Sequence, residues 1–212
     1  APLAALVLGL HAWGDSAGGW LRRKELAWAY PERIQGSVIV RLPRGHDADG
    51  FAAREVEKAR LRILALHGAA FRLRPPAEPL RVHLLEEEAF APFGFRAEPG
   101  GTYDPVRGIA VRIDPVFNQE EVSRAIRRQT AHAILQASGP KGWSPWLEAG
   151  MAAILDESSP PAEAGVPSLA DLLQARPGDF QGPSGPRYAR GAALLATFLH
   201  RTMEEALLHY YW

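Results

Sequence analysis

The chain of 212 residues contains no cysteine, which excludes disulfides, thiolate metal ligands and cysteine nucleophiles. Any bound metal would therefore need His, Asp or Glu ligands. The chain also has no excess of charge, because 24 Lys and Arg residues balance 24 Asp and Glu residues. Without a net positive field there is no long-range attraction for nucleic acid, so we expect no nucleic-acid partner.

A phosphate-binding Gly-Lys-Ser/Thr loop is also missing, so the sequence does not indicate a P-loop nucleotide enzyme. What is present is typical of a globular protein: 47% of the residues are hydrophobic and 23% are charged. A chain of this length and composition can bury a sizeable core within one domain.

Residues 1–34 form a distinct N-terminal segment, because Pro2 to Trp13 is apolar and uncharged. This stretch is shorter than the roughly 20 residues that a membrane-spanning helix needs. It fits the remnant of a signal or anchor, a partly inserted segment, or a buried helix. The residues that follow mix aromatic and basic side chains, as an interfacial belt does: Trp13, Trp20, Arg22, Arg23, Lys24, Trp28 and Tyr30. They favour a membrane contact, and an amphipathic helix packed on its own domain is the alternative.

Residues 35–212 are predicted to form one α+β domain, because strands mixed with one helix are followed by helices alone. A run rich in β-branched residues predicts a strand at 37–42, and further strands are predicted at 80–85 and 109–113. Helical spacing of apolar residues predicts helices at 51–66, 118–137, 144–156, 168–175 and 188–210. Capping residues support several helix starts: Asp49, Asn118, Ser144 with Pro145, and Ser168.

The stretch from Arg127 to Leu155 (RRQTAHAILQASGPKGWSPWLEAGMAAIL) resembles gluzincin-type, or peptidase MA-like, zinc metallopeptidases. In that family one helix carries His-Glu-x-x-His and a second helix carries Trp-Leu-x-Glu-Gly. Two histidines four residues apart reach one zinc ion, and the Glu beside the first acts as general base. Weaker similarity covers residues 35–205 and includes Gly101 to Asp104 before an expected edge strand, Ile109 to Ile113. The resemblance implies a zincin-like domain with a small mixed sheet and a helical C-terminal half.

Laid onto the family pattern, the catalytic positions of this chain are degenerate. The second histidine is His132, but Arg128 stands at the first, Gln129 at the general base and Ala149 at the third ligand. A guanidinium and a methyl group cannot ligate a metal, and an amide is too weak a base to deprotonate water. Glu148 precedes the ligand position but is turned by about 100° on the helix. We therefore expect no catalytic metal and no cofactor.

Arg128 has two interpretations. In the first, Arg128 occupies the former metal position as a cation and pairs with Glu148, Asp156 or Glu157, because a buried charge needs a partner. In the second, its side chain points to water. A former substrate cleft is expected beside Ile109, Val111, Ile113 and Glu148, and it would accept an extended chain by strand addition.

The resemblance with lost ligands implies a non-catalytic pseudopeptidase that acts as a binding or structural subunit with protein partners in a bacterial membrane-associated assembly. The family's usual export favours the periplasmic side of the cell envelope. The alternatives are a hydrolase with a relocated site, such as His132 with Glu148 or Asp156, and a soluble domain with an ordinary N-terminal core helix. Apolar and aromatic residues at both ends are the expected interface: Leu6, Leu8, Trp13, Trp20, Tyr210, Tyr211 and Trp212.

Overall fold

The protein has a five-stranded mixed sheet in the computed structural model, which describes residues 25–46, 48–69, 73–76, 79–96, 100–113, 118–138, 144–155, 165–180 and 182–202. The strands are β1 (Glu32–Gln35), β2 (Val38–Arg41), β3 (Leu80–Leu85), β4 (Thr102–Asp104) and β5 (Gly108–Arg112). Their order in the sheet is β1-β2-β3-β5-β4. The two inner pairings are parallel, whereas β1 and β4 each join the sheet antiparallel.

The longer helices are α1 (Asp49–His67), α2 (Gln119–Ser138), α3 (Pro145–Leu155), α4 (Leu169–Leu173) and α5 (Gly185–Thr202). Only α1 lies among the strands, between β2 and β3, and the other four follow the sheet in sequence. The predicted α+β class, with a small mixed sheet and a helical C-terminal half, is confirmed. None of the described helices combines the length and the apolar character that crossing a bilayer requires.

One face of the sheet packs against α1 and α2 to form the main core. Val40, Val82 and Ile109 are fully buried there, together with Val56 of α1 and Ile126 of α2. Each such side chain contributes about 1.5–3 kcal/mol by leaving water. The alternating pattern of β2, with its two valines buried and the residues between them less so, explains why this face meets the helices. A second cluster continues where α1, α2 and α3 meet: Ile63, Ile134, Leu135, Met151 and Leu155.

Capping explains where two of the helices begin. Asn118 Oδ1 accepts hydrogen bonds from the backbone N–H groups of Glu120 and Glu121 at the start of α2. Ser168 accepts one from the N–H of Asp171 at the start of α4, so both predicted caps are confirmed. Two other predicted starts are wrong. The N-cap of α1 is Ala48 rather than Asp49, and the last helix begins at Gly185 rather than at residue 188.

Helices α3 and α5 approach each other closely at Gly150. A Cβ atom there would lie 2.5 Å from the carbonyl oxygen of Ala192 and 2.7 Å from Cβ of Ala196. Any larger residue would push the two helices apart, so Gly150 and the two alanines set their spacing. This contact ties the last helix to the helix that carries Glu148.

The other face of the sheet is covered by residues 25–30 and by the segment after β3. Tyr30 is buried against Phe90 and Phe95, and its hydroxyl donates to Glu86 Oε2 at 3.0 Å. Burial and the neighbouring Glu86 raise the pKa of Tyr30 to about 12. The boundary predicted between residues 34 and 35 falls inside β1, so residues 25–34 belong to the same packed unit as the rest of the sheet.

A neutral histidine lies within this second face. His83 is buried on β3, and its Nε2–H donates to the carbonyl oxygen of Arg107 at 2.9 Å. Desolvation by burial lowers the pKa of His83 to about 4, and the nearby Arg41 guanidinium acts in the same direction. The ring is therefore uncharged at neutral pH, and it packs 5.1 Å from the ring of Phe95, measured between centroids.

Candidate functional site

The candidate site lies between α2 and α3, where the structure brings His132 and Glu148 together. His132 Nδ1 lies 3.1 Å from Glu148 Oε1. Gln136, one turn further along α2, donates its amide to the same oxygen at 3.1 Å. Residues four apart on a helix share a face, so His132 and Gln136 both point at the first turn of α3. The pairing of His132 with Glu148 was one of the two relocated-site arrangements considered from the sequence, and Asp156 of the other lies outside the described residues.

The charge on Glu148 follows from these contacts. Burial alone would raise its pKa, but the hydrogen bond and the charge interaction with His132, aided by Gln136, leave the pKa below its ordinary value. Glu148 is therefore ionised at neutral pH and accepts the Nδ1 proton of His132. The opposite ring nitrogen, Nε2, is the atom of His132 that would meet a substrate or a metal. Metal-bound histidines commonly have such a carboxylate partner on the opposite ring nitrogen.

Gln129 has a structural role at the position where a peptidase would carry its general base. Its side chain is buried, and its amide Nε2 donates to the carbonyl oxygens of Gly100 at 3.0 Å and Gly101 at 3.1 Å. Both glycines have φ of +79°, a conformation that side chains disfavour. A Cβ on Gly101 would also lie 2.7 Å from the carbonyl oxygen of Ala110. Gln129 thus joins α2 to the chain that enters β4.

Arg128 lies beside this turn and not against Glu148. Its Nη1 atom would be 3.9 Å from a Cβ built on Gly100. Glu148 takes its hydrogen bonds from His132 and Gln136, so the predicted ion pair between Arg128 and Glu148 does not form. Asp156 and Glu157, the other predicted partners, lie outside the described residues. Among the residues that the structure does describe, Arg128 makes no ion pair.

The donor set around His132 does not fit the zinc ion of the peptidase family. Such a site needs at least three protein ligands. Arg128 and Ala149 offer no lone pair, and the Glu148 oxygen nearest the ring is occupied by two donors. In the described ranges, no three His, Asp or Glu side chains come together as a metal site would require. The chemistry of these side chains therefore does not fit a zinc site of that kind at His132.

The cleft prediction placed the sheet edge on the wrong strand. Ile109, Val111 and Ile113 are buried in the core, and β5 is an inner strand between β3 and β4. The strand at this edge of the sheet is β4, because Tyr103 and its neighbours pair with the outer side of β5. The sequence signal that could have identified β4 was Thr102-Tyr103, a β-branched residue followed by an aromatic one. These residues precede a turn that Asp104 closes by accepting hydrogen bonds from two backbone N–H groups.

The edge strand β4 carries Tyr103, whose surroundings relate it to the pair formed by His132 and Glu148. Its half-buried side chain packs against the main core, and burial raises its pKa, with the carboxylates of Asp104 and Glu148 adding to the shift. Gln129, three residues before His132 on α2, contacts Gly100 and Gly101 at the entry to β4, which places this strand beside the helix that carries His132. An extended chain along the outer edge of β4 would therefore pass near His132 and Glu148.

The chain matches no protein-family model, and no curated protein matches it either. The resemblance to peptidase MA-like enzymes thus stays a prediction that rests on the residues quoted from α2 and α3. Two groups of predicted residues cannot be placed, because they lie outside the described ranges: Leu6, Leu8, Trp13 and Trp20 at one end, and Tyr210, Tyr211 and Trp212 at the other. A Gly-x-Ser-x-Gly pattern at Gly14 to Gly18, which is not among the predicted site residues, also lies outside the described ranges; such a pattern indicates a nucleophile only in a strand–turn–helix setting.

Proposed function

We propose that this chain is a non-catalytic, peptidase-like domain that serves as a binding or structural subunit of a bacterial membrane-associated assembly. The arrangement of Gln129 carries the proposal. A general base must accept a proton, whereas the Gln129 amide donates to the carbonyl oxygens of Gly100 and Gly101. The position that would activate water in a peptidase is thus used here to hold the sheet edge.

The ligand is an extended polypeptide segment that adds to the outer edge of β4. In the described part of the chain no strand pairs with that edge, which supports its use for pairing with a partner. Strand addition supplies backbone hydrogen bonds, and side chains beside the edge supply specificity. Because β4 has only three residues, the backbone bonds are few. Contacts with Arg128 and His132 on α2 complete the binding surface.

The assembly lies at the cell envelope, with the periplasmic side favoured, and the segment before residue 25 provides the tether. The apolar stretch from Pro2 to Trp13 and the basic and aromatic residues after it support this part of the proposal. Comparing membrane and soluble fractions for the full chain and for a chain without residues 1–14 tests the tether. Equal distribution of the two proteins would contradict it.

Site-specific cross-linking tests the binding edge. Benzoylphenylalanine placed at Thr102 in the full chain, in its native host, is expected to give a discrete adduct with a protein partner after irradiation. The matched control is Leu61, which is exposed on α1 away from the edge. The adduct at Thr102 should disappear when Gly101→Val distorts the entry to β4, with circular dichroism confirming that the variant is folded. Adducts of equal yield at both positions would contradict a specific edge.

A second candidate function, hydrolysis by a relocated site, is favoured by the His132–Glu148 contact of 3.1 Å. A histidine held by a carboxylate is a common general base, but a covalent mechanism also needs a nucleophile. Among the described residues no hydroxyl group is hydrogen-bonded to His132. The candidates separate in an assay with a fluorogenic peptide library. We expect no turnover above that of His132→Ala, Glu148→Gln and Ser16→Ala variants, and turnover lost in any of them would establish the hydrolase.

A further inference from the structure

Helix α5 presents two different faces. Its inner face carries Ala192 and Ala196, which pack against Gly150 of α3. At about 100° per residue, Leu194 and Phe198 point to the opposite side of the helix. Leu194 is 53% exposed and Phe198 is 59% exposed, so two large apolar side chains one turn apart remain in contact with solvent.

The apolar surface continues from α5 onto the segment that contains α4. Gly191 shares the outer side of α5, and a Cβ there would lie 2.7 Å from Cδ of Pro167 and 3.4 Å from Cγ1 of Val166. This places the chain before α4 directly on the face that carries Leu194 and Phe198. Three more large apolar side chains in this segment are exposed: Val166, Leu169 and Leu173. Half of the ten exposed large apolar residues identified in the described chain belong to this one region.

Basic residues border this surface on one side. Arg187 and Arg190 precede Leu194 on the same side of α5, two turns and one turn earlier respectively, and Arg187 is exposed. Within the described ranges neither arginine makes an ion pair. Asp171, the acidic residue of α4, is hydrogen-bonded to Ser168 at the start of that helix. The surface therefore combines apolar side chains with positive charge that has no acidic partner among the described residues.

We propose that the outer face of α5, formed by Arg187, Arg190, Leu194 and Phe198, lies on an anionic lipid surface. Helices that lie in a membrane interface combine apolar side chains, which enter the acyl boundary, with Lys and Arg, which contact lipid headgroups. The zero net charge of the chain does not oppose this, because attraction to anionic lipid depends on the local cluster within a Debye length. The proposal rests on the membrane association in the proposed function and assigns it a second contact besides the N-terminal segment.

The lack of cysteine permits a local measurement. Leu194→Cys and Phe198→Cys variants of the full chain each carry one environment-sensitive nitrobenzoxadiazole label. With vesicles containing roughly one-third phosphatidylglycerol in phosphatidylcholine, we expect emission to shift to the blue and to rise several-fold. The matched controls are Leu61→Cys and Leu66→Cys on α1, which are 64% and 58% exposed in the native chain. Their labels should not respond, even if the N-terminal segment holds the protein on the same vesicles.

Charge dependence identifies the anionic component. The double substitution Arg187→Gln and Arg190→Gln should raise the lipid concentration that gives half of the fluorescence response at Phe198→Cys by roughly 30-fold. High salt or pure phosphatidylcholine should have a similar effect. Equal responses on α1 and α5, or none on α5, would overturn the proposal. A blue shift that depends on protein concentration without vesicles would also overturn it, by showing a protein interface. Because Thr102 cross-linking is measured separately, loss of the lipid contact leaves the β4 binding role standing.

Discussion

The substitution Gln129→Glu tests the link between α2 and the sheet edge. The variant removes the donor of two hydrogen bonds and turns a carboxylate toward the carbonyl oxygens of Gly100 and Gly101, which lie 3.0 and 3.1 Å from the present amide nitrogen. Gln129 is only 6% exposed and Gly101 is buried, so water cannot replace the bond to Gly101, whereas the carbonyl of the exposed Gly100 remains open to water. Leaving buried acceptors without donors costs about 1–3 kcal/mol each. We expect the free energy of unfolding to fall by about 2–4 kcal/mol.

The pH dependence of this loss has a definite sign. Burial and the two facing carbonyl oxygens raise the pKa of the introduced carboxyl above the ordinary value for Glu of about 4.3. Its protonated form donates one hydrogen bond again, so the destabilisation shrinks as the pH falls and is greatest above the raised pKa. Urea titrations at several pH values measure both the size of the destabilisation and its dependence on pH. Gln119→Glu is the matched control, because the same change in the exposed first turn of α2 should alter stability by less than about 0.5 kcal/mol. If Gln129→Glu were as stable as this control at pH 8, the structural role of the amide would be refuted.

Three further predictions concern the metal position, the second sheet face and the packing of α5. The double variant Arg128→His, Ala149→Glu is expected to bind stoichiometric zinc, as measured by metal analysis. Adding His132→Ala should abolish the binding. A double variant that binds no zinc would contradict the peptidase resemblance. The pKa of His83 is about 4 rather than 6.5. The unfolded chain therefore binds more protons between these values, and stability falls by about 3 kcal/mol from pH 7 to pH 4. In urea titrations, His83→Gln should reduce this fall in stability between pH 7 and pH 4. An unchanged fall would show that His83 is not its cause. Gly150→Ala should lower stability by about 1–3 kcal/mol by overpacking against α5, and an unchanged melting temperature would contradict the close approach.

Elements with strong local signals were predictable from the sequence. The β3 bounds, Leu80–Leu85, agree with the prediction, since the run is apolar and ends in a polar segment. The starts of α2 and α4 were set by Asn118 and Ser168, whose side chains act within three residues. Such signals do not depend on distant parts of the chain, which is why they can be recognised before the tertiary structure is known.

The edge strands and the site contacts depend on pairing between distant residues. β1 (Glu32–Gln35) is fully exposed and has no apolar alternation, so only its pairing with β2 makes it a strand. Three-residue β4 was missed for the same reason, and β5 was therefore assigned to the edge. At the site, the sequence singled out His132 and Glu148 as one possible pair, and the structure brings these two side chains together. It gave no sign that the Gln129 amide would contact a glycine pair 28 residues earlier.

The Gln129 contact also affects how a partner would bind. A short edge strand at the margin of a sheet loses backbone freedom when another chain adds to it, and that loss weakens association. Here the entry to β4 is already immobilised by a buried side chain from a long helix that is itself packed in the core. An incoming segment would meet an edge that is preorganised, so most of the ordering cost would fall on the ligand alone. Affinity should accordingly depend more on the stiffness of the partner segment than on any adjustment by this protein.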